Sequence, residues 1–381
     1  MQYREFKKLG IKASAFGVGC MRFPTVEVNG ERVVDLENAK NIIRRAIDAG
    51  VNYVDTAYNY SQKTNELIVG EALKDGYRER VFLATKLPSF FCECPEDMQR
   101  FFDEQLQKLG TDYLDFYLVH SLNRASWDKM KSFGVREFLD KLKAEGKIRF
   151  AAFSFHDDYD AFEYIIRDYD WDMCQIQYNY MDAVGNAPGE RGLRLAESLG
   201  IPVVIMEGLL GGKLASVPQD VQAVFDSYGE KRSPAEWAFR WLCNDPAVYT
   251  VLSGVTTPEM TDDNIRIFSN VHPGCMTEEE QEIIKAARET YAKRIKVNCT
   301  NCRYCLPCPM GVEIPRVFSA WNNAYKYDTI SDVEWTYGRL LADNKSAAQC
   351  VGCGKCESIC PQHIKIRDML KSAHEDLTKK A

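Results

Sequence analysis

The stretch LENAKNIIRRAIDAGVNYVDTAYNY, residues 36–60, holds one complete repeat of the fold. Its first part, Leu36–Ala49, places apolar side chains three and four positions apart, which is typical of an amphipathic helix. Gly50 ends this helix, and the apolar run Tyr53–Ala57 that follows is typical of a short strand buried on both faces. A helix joined to a buried strand within a few residues predicts an α/β fold with a parallel sheet.

The same alternation recurs along the first 290 or so residues. Eight segments are predicted strands: Ala15–Cys20, Tyr53–Ala57, Val81–Lys86, Tyr113–Val119, Ile148–Ser154, Met173–Tyr178, Pro202–Met206 and Tyr249–Ser253. The predicted helices between them are Leu36–Ala49, Asn65–Leu73, Pro95–Leu109, Val135–Ala144, Tyr159–Tyr169, Gly192–Leu199, Pro234–Cys243 and Pro258–Phe268. Eight such units predict a closed (β/α)8 TIM barrel. The alternative, an open doubly wound sheet, would need a G-x-G-x-x-G turn where the chain has only Gly17-Val18-Gly19.

Eight of the fourteen cysteines lie in two runs that each end in Cys-Pro: Cys299, Cys302, Cys305 and Cys308, then Cys350, Cys353, Cys356 and Cys360. The second run has the C-x2-C-x2-C-x3-C-P spacing of ferredoxins with two 4Fe–4S clusters, in which the fourth cysteine ligates the other cluster. This spacing predicts one cluster on Cys299, Cys302, Cys305 and Cys360, and a second on Cys350, Cys353, Cys356 and Cys308. One departure concerns Cys308, which follows Cys305 after two residues instead of three.

Disulfides and structural zinc are the alternatives for these cysteines. Disulfides need an oxidising compartment, and no apolar run typical of a signal peptide follows Met1. Zinc sites pair C-x2-C knuckles across a long spacer, whereas each run here repeats three ligands at one spacing. Exposed clusters and many thiols predict a reducing cytoplasm with little oxygen. The remaining cysteines are predicted to be small buried residues, with Cys92 and Cys94 as a possible exception.

Two domains are predicted. Residues 1–12 are expected to form a hairpin over the barrel floor, and Thr277–Ile295 one more helix leading out of the barrel. Further helical patterns follow at Pro315–Tyr325, Ser331–Leu341 and Ile366–Leu377. We therefore expect a barrel over residues 1–295 and a small α-rich, ferredoxin-like iron–sulfur domain over residues 296–381.

The overall charge and hydrophobicity exclude two classes of partner. The chain of 381 residues carries 48 lysines and arginines against 55 aspartates and glutamates, a net charge of −7. This balance argues against nucleic acid as the main partner. No apolar stretch approaches the length of a membrane span.

Four polar residues fall where predicted strands end, which is where TIM barrels carry their chemistry. Asp55 and Tyr60 follow the second strand, Lys86 ends the third and His120 ends the fourth. A charge in the barrel mouth needs a partner, and a Lys86–Asp55 pair would supply it. A tyrosine beside that lysine would have its pKa lowered, which makes a phenol a usable acid near neutral pH.

These four residue types, in this order and at these strand ends, resemble the catalytic tetrad of the aldo-keto reductases. The cysteine-rich tail resembles the subgroup of that family with a ferredoxin-like domain. The resemblance implies that NAD(P)H lies across the barrel mouth and exchanges hydride with a small-molecule carbonyl or alcohol. Tyr60 would protonate the alkoxide, Lys86 held by Asp55 would lower the Tyr60 pKa, and His120 would orient the carbonyl oxygen. The alternative for Lys86 and Asp55 is a strand-end salt bridge without catalysis.

The resemblance also implies a set of cofactor-binding positions. Ser154 and Gln175 are placed at the carboxamide of the nicotinamide, and the loop Leu210-Gly211-Gly212-Lys213 at the pyrophosphate. The segment from Gly254 to Asn264 is placed at the adenosine, with an ordinary strand–helix turn as its alternative. The complete set is Gly19, Met21, Asp55, Ser154, Gln175, Met206, Gly208, Leu209, Gly211, Lys213, Ser253, Thr256, Met260, Asp263 and Asn264.

Departures from the family pattern leave the cofactor and the substrate open. Phe155 replaces the usual Asn, and Met206 replaces the tyrosine that stacks on the nicotinamide. Gly254 and Met260 stand where NADPH-preferring relatives carry Lys and Arg, and Asp262 and Asp263 are expected to repel a 2′-phosphate. NADH and NADPH are therefore both retained. Ser121-Leu122 after His120 lacks the aromatic residue that often lines the substrate pocket.

Three interpretations explain why clusters accompany a hydride enzyme. The clusters link the reductase to an electron carrier or a flavoprotein partner, which would also convert two-electron to one-electron transfer. Alternatively, they are structural staples, since metal binding folds small domains. In the third, the protein is a redox sensor or electron-transfer protein whose barrel binds nicotinamide with little turnover.

Overall fold

A computed structural model describes residues 1–183, 187–329 and 331–379. Eight parallel strands form a closed barrel in the order β10-β11-β12-β3-β6-β7-β8-β9. These strands are β3 (Phe16–Gly19), β6 (Tyr53–Asp55), β7 (Phe82–Leu87), β8 (Leu114–Leu122), β9 (Ile148–Phe155), β10 (Met173–Gln177), β11 (Val203–Met206) and β12 (Val248–Ser253). The predicted TIM barrel is confirmed, and each of the eight predicted strands is found within a few residues of its expected limits.

Helices follow the barrel strands and continue to the end of the chain. The bounds are α1 (Leu36–Asp48), α2 (Asn65–Ala72), α3 (Glu96–Leu109), α4 (Arg124–Ser132), α5 (Val135–Ala144), α6 (Tyr159–Arg167), α7 (Gly189–Ser198), α8 (Gln219–Asp226), α9 (Pro234–Asn244), α10 (Pro258–Asn270), α11 (Glu278–Lys293), α12 (Ile314–Lys326), α13 (Ser331–Ala342), α14 (Lys355–Ser358) and α15 (Ile366–Lys379). No helix in these described ranges is both long and apolar enough to span a membrane.

The N-terminal hairpin closes one end of the barrel. It consists of β1 (Tyr3–Phe6) and β2 (Ile11–Ser14) and lies at the amino ends of the barrel strands, where the Ser14 amide donates to Asn52 Oδ1 at 2.7 Å. Phe6 is fully buried, with its ring 4.9 Å from that of Tyr249 and 6.5 Å from that of Phe116. The predicted hairpin over the barrel floor is therefore confirmed, and its apolar side chain fills the interior from below.

A second hairpin, β4 (Thr25–Val28) and β5 (Glu31–Val34), was not predicted. Its turn contains Asn29 and Gly30 with φ of 54° and 83°, the Asn-Gly signature of a tight hairpin. The signal was thus present in the sequence, but neither strand has a buried face to produce an apolar pattern. Helices α4, α8 and α14 were likewise not predicted.

The chain divides into two compact units. The first contains Met1–Gly211 and Ala235–Thr277, and the second contains Gly212–Pro234 and Glu278–Ala381. Within the second unit, Val317, Phe318 and Leu370 belong to a core formed by α12, α13 and α15. The segment before α9 joins this unit through α8, and Arg232 forms an ion pair with the buried Glu280. The boundary between residues 295 and 296 stays a prediction.

Candidate functional site

A buried ion pair lies at the carboxyl ends of neighbouring strands β6 and β7. Lys86 Nζ donates to Asp55 Oδ1 at 2.6 Å and to the Thr56 carbonyl oxygen at 2.7 Å. The side chains of Lys86 and Asp55 are only 2% and 4% exposed. Burial lowers the pKa of Lys86, but Asp55 and Tyr60 outweigh burial and raise it, so the ammonium stays charged. A fixed positive charge therefore sits just inside the barrel mouth.

Tyr60 and His120 flank this charge. Lys86 Nζ lies 5.1 Å from the centre of the Tyr60 ring, and the Tyr60 and His120 ring centres are 6.0 Å apart with an interplanar angle of 79°. Tyr60 is followed by three non-glycine residues with left-handed backbone, Ser61, Gln62 and Lys63, at φ of 44°, 55° and 72°. Such conformations are costly for residues with a Cβ atom, so the surrounding fold must impose them. The structure thus brings all four predicted tetrad residues together.

The protonation of Tyr60 differs from the sequence-based expectation. Burial raises the pKa of Tyr60 above its ordinary value of 10.0, although the charge on Lys86 lowers it. The predicted net lowering of this pKa is therefore wrong for the protein alone, because loss of hydration outweighs the attraction of Lys86. Burial, aided by Lys86 and His156, holds the pKa of His120 well below 6.5. The site thus presents a neutral phenol and a neutral imidazole at pH 7.

Ser154 and Gln175 lie on the adjacent strands β9 and β10. Ser154 Oγ accepts from the Ser121 amide at 2.7 Å, and Gln175 Nε2 donates to Asp55 Oδ2 at 3.2 Å. Gln175 is 1% exposed, and its Oε1 is buried without a hydrogen-bond partner among the described residues. A buried acceptor without a donor costs free energy. It fits an amide N–H donor such as the carboxamide of nicotinamide.

Several predicted cofactor-binding residues lie where the strand ends of β3, β11 and β12 approach one another. A Cβ atom on Gly19 would lie 3.5 Å from the Ser253 backbone, and one on Gly208 would lie 2.9 Å from Leu242 Cδ1. Gly211 has φ of 67°. Met206 ends β11 and Leu209 follows Gly208, whereas Lys213 belongs to the second compact unit. A Cβ atom at Gly208 would thus require the Leu242 side chain to shift, and the backbone conformation at Gly211 favours glycine.

Arg22 contacts a predicted cofactor-binding residue and was not itself predicted. Its Nη1 donates to the Gly211 carbonyl oxygen at 2.8 Å, so a cation lies beside the glycine loop. Met21, the preceding residue, is 46% exposed. An arginine directly after a predicted cofactor-binding residue was the available signal.

The predicted adenosine segment forms the β12–α10 turn. Asn264 is buried and donates from Nδ2 to Ser253 Oγ at 2.9 Å, while Thr256 Oγ1 lies 3.6 Å from Met260 Sδ. Asp263 forms an ion pair with Arg266 at 2.8 Å, and Asp262 receives a bond from Arg45 Nη2 at 2.6 Å. The expected repulsion of a 2′-phosphate is therefore weakened, because an arginine compensates each carboxylate.

Aromatic residues beside His120 were also missed. The Phe90 ring lies 5.5 Å from the His120 ring and 4.7 Å from the Phe91 ring, and Phe90 is 45% exposed. Ser89 fixes this loop by donating to the His120 carbonyl oxygen at 2.8 Å. The aromatic residue that the sequence lacks directly after His120 is thus supplied by the loop after β7.

A cavity of about 730 Å³ lies between the β4–β5 hairpin, α1 and α2, and Ser61 and Gln62 line it.

The cysteines of the second unit fall into the predicted sets in part. Cys299, Cys302, Cys305 and Cys360 line one small cavity, so the last cysteine of the second run lies beside three of the first. Four convergent thiols fit an iron–sulfur cluster. Among the described residues, no three histidine, cysteine or carboxylate side chains are set to hold a single metal ion. Of the second set, Cys356 is buried, Cys308 and Cys350 are partly buried and Cys353 is exposed.

Comparison with known proteins places both parts of the chain. Residues 15–288 match the aldo/keto reductase family, and residues 298–365 match a 4Fe–4S dicluster domain. The NADH-specific methylglyoxal reductase of Escherichia coli is 28% identical over 286 residues, which are 62% of this chain and 84% of that protein.

Solved structures agree with this match. The aldo-keto reductase AKR11C1 from Bacillus halodurans, in its holo form, is 25% identical with a TM-score of 0.62, over 75% of this chain and 96% of that one. An aldo-keto reductase from Klebsiella pneumoniae in complex with NADPH is 22% identical with a TM-score of 0.60, over 75% and 95%, a likeness of fold. The chain is an oxidoreductase that belongs to the aldo/keto reductase family and carries a 4Fe–4S dicluster domain after the barrel.

Proposed function

We propose that the barrel interconverts a carbonyl and an alcohol with NAD(P)H, an activity of class EC 1.1.1, and that Tyr60 is its general acid and base. The observation that carries this proposal is the buried Lys86–Asp55 pair beside the Tyr60 ring. A salt bridge serving stability alone would not need a phenol and a neutral imidazole next to it in the barrel mouth. The cofactor, when bound, supplies or accepts the hydride.

The protein's own residues handle the proton and the substrate oxygen. Tyr60 donates its phenolic proton to the oxygen as negative charge develops there, and the neighbouring Lys86 ammonium stabilises the phenolate that remains. Its raised pKa keeps Tyr60 protonated, and thus ready as an acid, at neutral pH. His120, neutral at that pH, donates one hydrogen bond that orients the carbonyl oxygen. In the oxidative direction the same groups act in reverse.

The cofactor site is proposed along one side of the mouth. Ser154 and Gln175 would hold the carboxamide, with Asp55 fixing the Gln175 amide. Met206 would pack on the nicotinamide. Gly19, Met21, Gly208, Leu209, Gly211 and Lys213 would surround the pyrophosphate, and Ser253, Thr256, Met260, Asp263 and Asn264 the adenosine. Either NADH or NADPH is accepted in this proposal, since the relatives include an NADH-specific enzyme and a complex with NADPH.

A short carbonyl compound is the proposed substrate. The related Escherichia coli protein is a methylglyoxal reductase, and the half-exposed Phe90 offers one apolar wall beside His120. Methylglyoxal is therefore the first substrate to test.

The cysteine sets are proposed to hold two 4Fe–4S clusters, one on Cys299, Cys302, Cys305 and Cys360 and the other on Cys308, Cys350, Cys353 and Cys356. When bound, the clusters supply one-electron transfer to a carrier or flavoprotein partner in a reducing cytoplasm. The domains are proposed to meet between residues 295 and 296. A redox-sensing protein with little turnover is the second candidate, favoured by the same convergent thiols.

Anaerobic assays of iron-replete protein with methylglyoxal and either NADH or NADPH test the proposal. Tyr60→Phe removes the proton donor and is expected to reduce the rate by about 100-fold or more. Tyr58→Phe is the matched control, since Tyr58 also lies near the mouth but donates to Glu104 Oε2 at 2.8 Å. If Tyr60→Phe keeps the wild-type rate, the acid is a different group and the proposal fails.

A further inference from the structure

Exposed apolar side chains alternate with the cluster cysteines. Tyr304 lies between Cys302 and Cys305 and is 65% exposed, and Val351, next to Cys350, is 64% exposed. Ile359 and Met310, each adjacent to the end of a cysteine run, are 51% and 42% exposed. Single exposed apolar residues are ordinary, but several of them within two short segments are expected where a protein interacts with a partner.

The same segments are rich in positive charge. Residues 296–316 and 345–371 carry eight lysines and arginines and three acidic residues, although the whole chain has a net charge of −7. Arg367 is neutralised by Glu357 at 2.8 Å. Arg303 lines the cavity of the first four cysteines, and Lys355 and Lys365 are exposed beside the second run. The exposed apolar side chains therefore belong to segments whose net charge is positive.

An apolar centre with a charged rim is the usual composition of a transient protein–protein interface. Redox complexes are small and short-lived, and complementary charge gives them rapid association more than high affinity. A cationic rim selects an anionic partner.

We propose that the cluster face, defined as Arg303, Tyr304, Met310, Val351, Lys355, Ile359 and Lys365, docks a small acidic electron-carrier protein. The inference rests on the proposed function, since it assumes that clusters occupy the cysteine sets. An anionic membrane would also attract cations, but surface-binding segments are typically long amphipathic helices. Six of the seven residues here lie in turns and loops and one in the four-residue α14. The face therefore fits a protein better than a lipid surface.

Binding of an acidic flavodoxin to the iron-replete protein tests the proposal. Oxidised flavodoxin is used as the probe, and association is recorded by surface plasmon resonance under nitrogen at low and high ionic strength. The association rate at low ionic strength is expected to exceed that at high ionic strength by about tenfold or more. A basic cytochrome c, the probe of opposite charge, is expected not to bind.

Two charge-reversal pairs locate the face. Arg303→Glu with Lys355→Glu, and separately Lys355→Glu with Lys365→Glu, are each expected to slow flavodoxin association by about tenfold or more at low ionic strength. The second pair avoids the cavity of the first four cysteines, but both pairs contain Lys355, which lies between Cys353 and Cys356. A slower association therefore supports the inference only in a variant that keeps the wild-type iron content. Lys7→Glu with Lys12→Glu makes the same change of charge on the N-terminal hairpin and should leave association unchanged. Iron content and methylglyoxal reduction are measured for every variant.

Three results overturn the inference: equal binding of cytochrome c, flavodoxin binding that survives both reversals, or preferential binding to phosphatidylglycerol vesicles. A wild-type protein that binds flavodoxin but transfers no hydride from NADH or NADPH to methylglyoxal would instead contradict the proposed function. The proposed docking face would then remain supported. The two failures are thus distinguishable.

Discussion

At the scale of single residues, the barrel mouth is a balance between burial and charge. Lys86 keeps its charge because its ammonium donates hydrogen bonds to Asp55 Oδ1 at 2.6 Å and to the Thr56 carbonyl oxygen at 2.7 Å. Tyr60 loses hydration in the same place, and burial acts on its pKa more strongly than Lys86 does. The phenol is therefore expected to stay protonated, and in the proposed mechanism the lysine acts mainly on the phenolate that forms after proton donation.

This balance predicts an unusually broad pH range for the reduction. The required acid form of Tyr60 persists as pH rises because its pKa is raised above 10.0, and the neutral form of His120 persists as pH falls because its pKa is lowered below 6.5. The kcat for methylglyoxal reduction is expected to be constant between these two values. If kcat instead begins to fall well below pH 10, the pKa of Tyr60 is lowered by Lys86 once the cofactor is bound.

Gln175 provides a second prediction at this scale. Gln175→Leu removes the buried amide that would pair with the carboxamide, a loss of about 1–3 kcal/mol. The Kd for NADH, measured by quenching of protein fluorescence, is expected to rise by about 5- to 150-fold. Gln99→Leu removes an exposed amide bonded to Asp103 and serves as the control. An unchanged Kd for Gln175→Leu would remove Gln175 from the cofactor site.

At the scale of elements, the contact between α1 and α10 bears on cofactor choice. Arg45 in α1 holds Asp262 in α10 by two hydrogen bonds of 2.5 and 2.6 Å. Arg45→Ala leaves this carboxylate without its compensating cation, so the Kd for NADPH is expected to rise relative to that for NADH. The ratio of the two Kd values is the measurement, and the double variant with Asp262→Ala should reverse the effect. An unchanged ratio of the two Kd values would mean that the 2′-phosphate of NADPH does not lie near Asp262.

The N-terminal hairpin gives an element-scale prediction about stability. Phe6→Ala would leave a cavity among Tyr53, Phe116 and Tyr249, and such changes cost about 3–5 kcal/mol. Urea titration followed by loss of NADH binding should show this decrease in the free energy of unfolding. Tyr3→Phe, which removes only an exposed bond to the Gly50 carbonyl, is expected to change stability little.

The elements also show what the sequence could and could not predict. Buried strands and one-faced helices were predicted because burial imposes a pattern of apolar residues, and the strand ends then located Asp55, Lys86 and His120. The β4–β5 hairpin has no buried face, and α8 packs in a different compact unit from the strands on either side of it. Contacts between distant segments, which no local pattern encodes, determine the positions of Phe90, Arg22 and the Arg45–Asp262 pair.

At the scale of the whole molecule, two units with separate cores are proposed to bind two kinds of redox group. The second unit has a small core, and its cysteine runs lie in segments with few helical residues. Bound clusters are therefore expected to contribute much of the free energy of folding of this unit. Anaerobic removal of iron with a chelator should lower its unfolding temperature while NADH binding to the barrel persists. Circular dichroism during heating follows unfolding, and the fluorescence of bound NADH, recorded in parallel, follows the barrel. A barrel that loses NADH with the iron would show that the units depend on each other.

The Phe6 side chain has one further consequence. Because Phe6 is buried at one end of the barrel, we expect water and protons to reach Tyr60 from the other end, where cofactor and substrate are proposed to enter. A Tyr60 phenolate formed beneath a bound product would then have to recover its proton from that same end. Tyr60 would therefore regain its proton only after the product leaves. We expect a solvent isotope effect on this reprotonation of Tyr60 and not on hydride transfer alone.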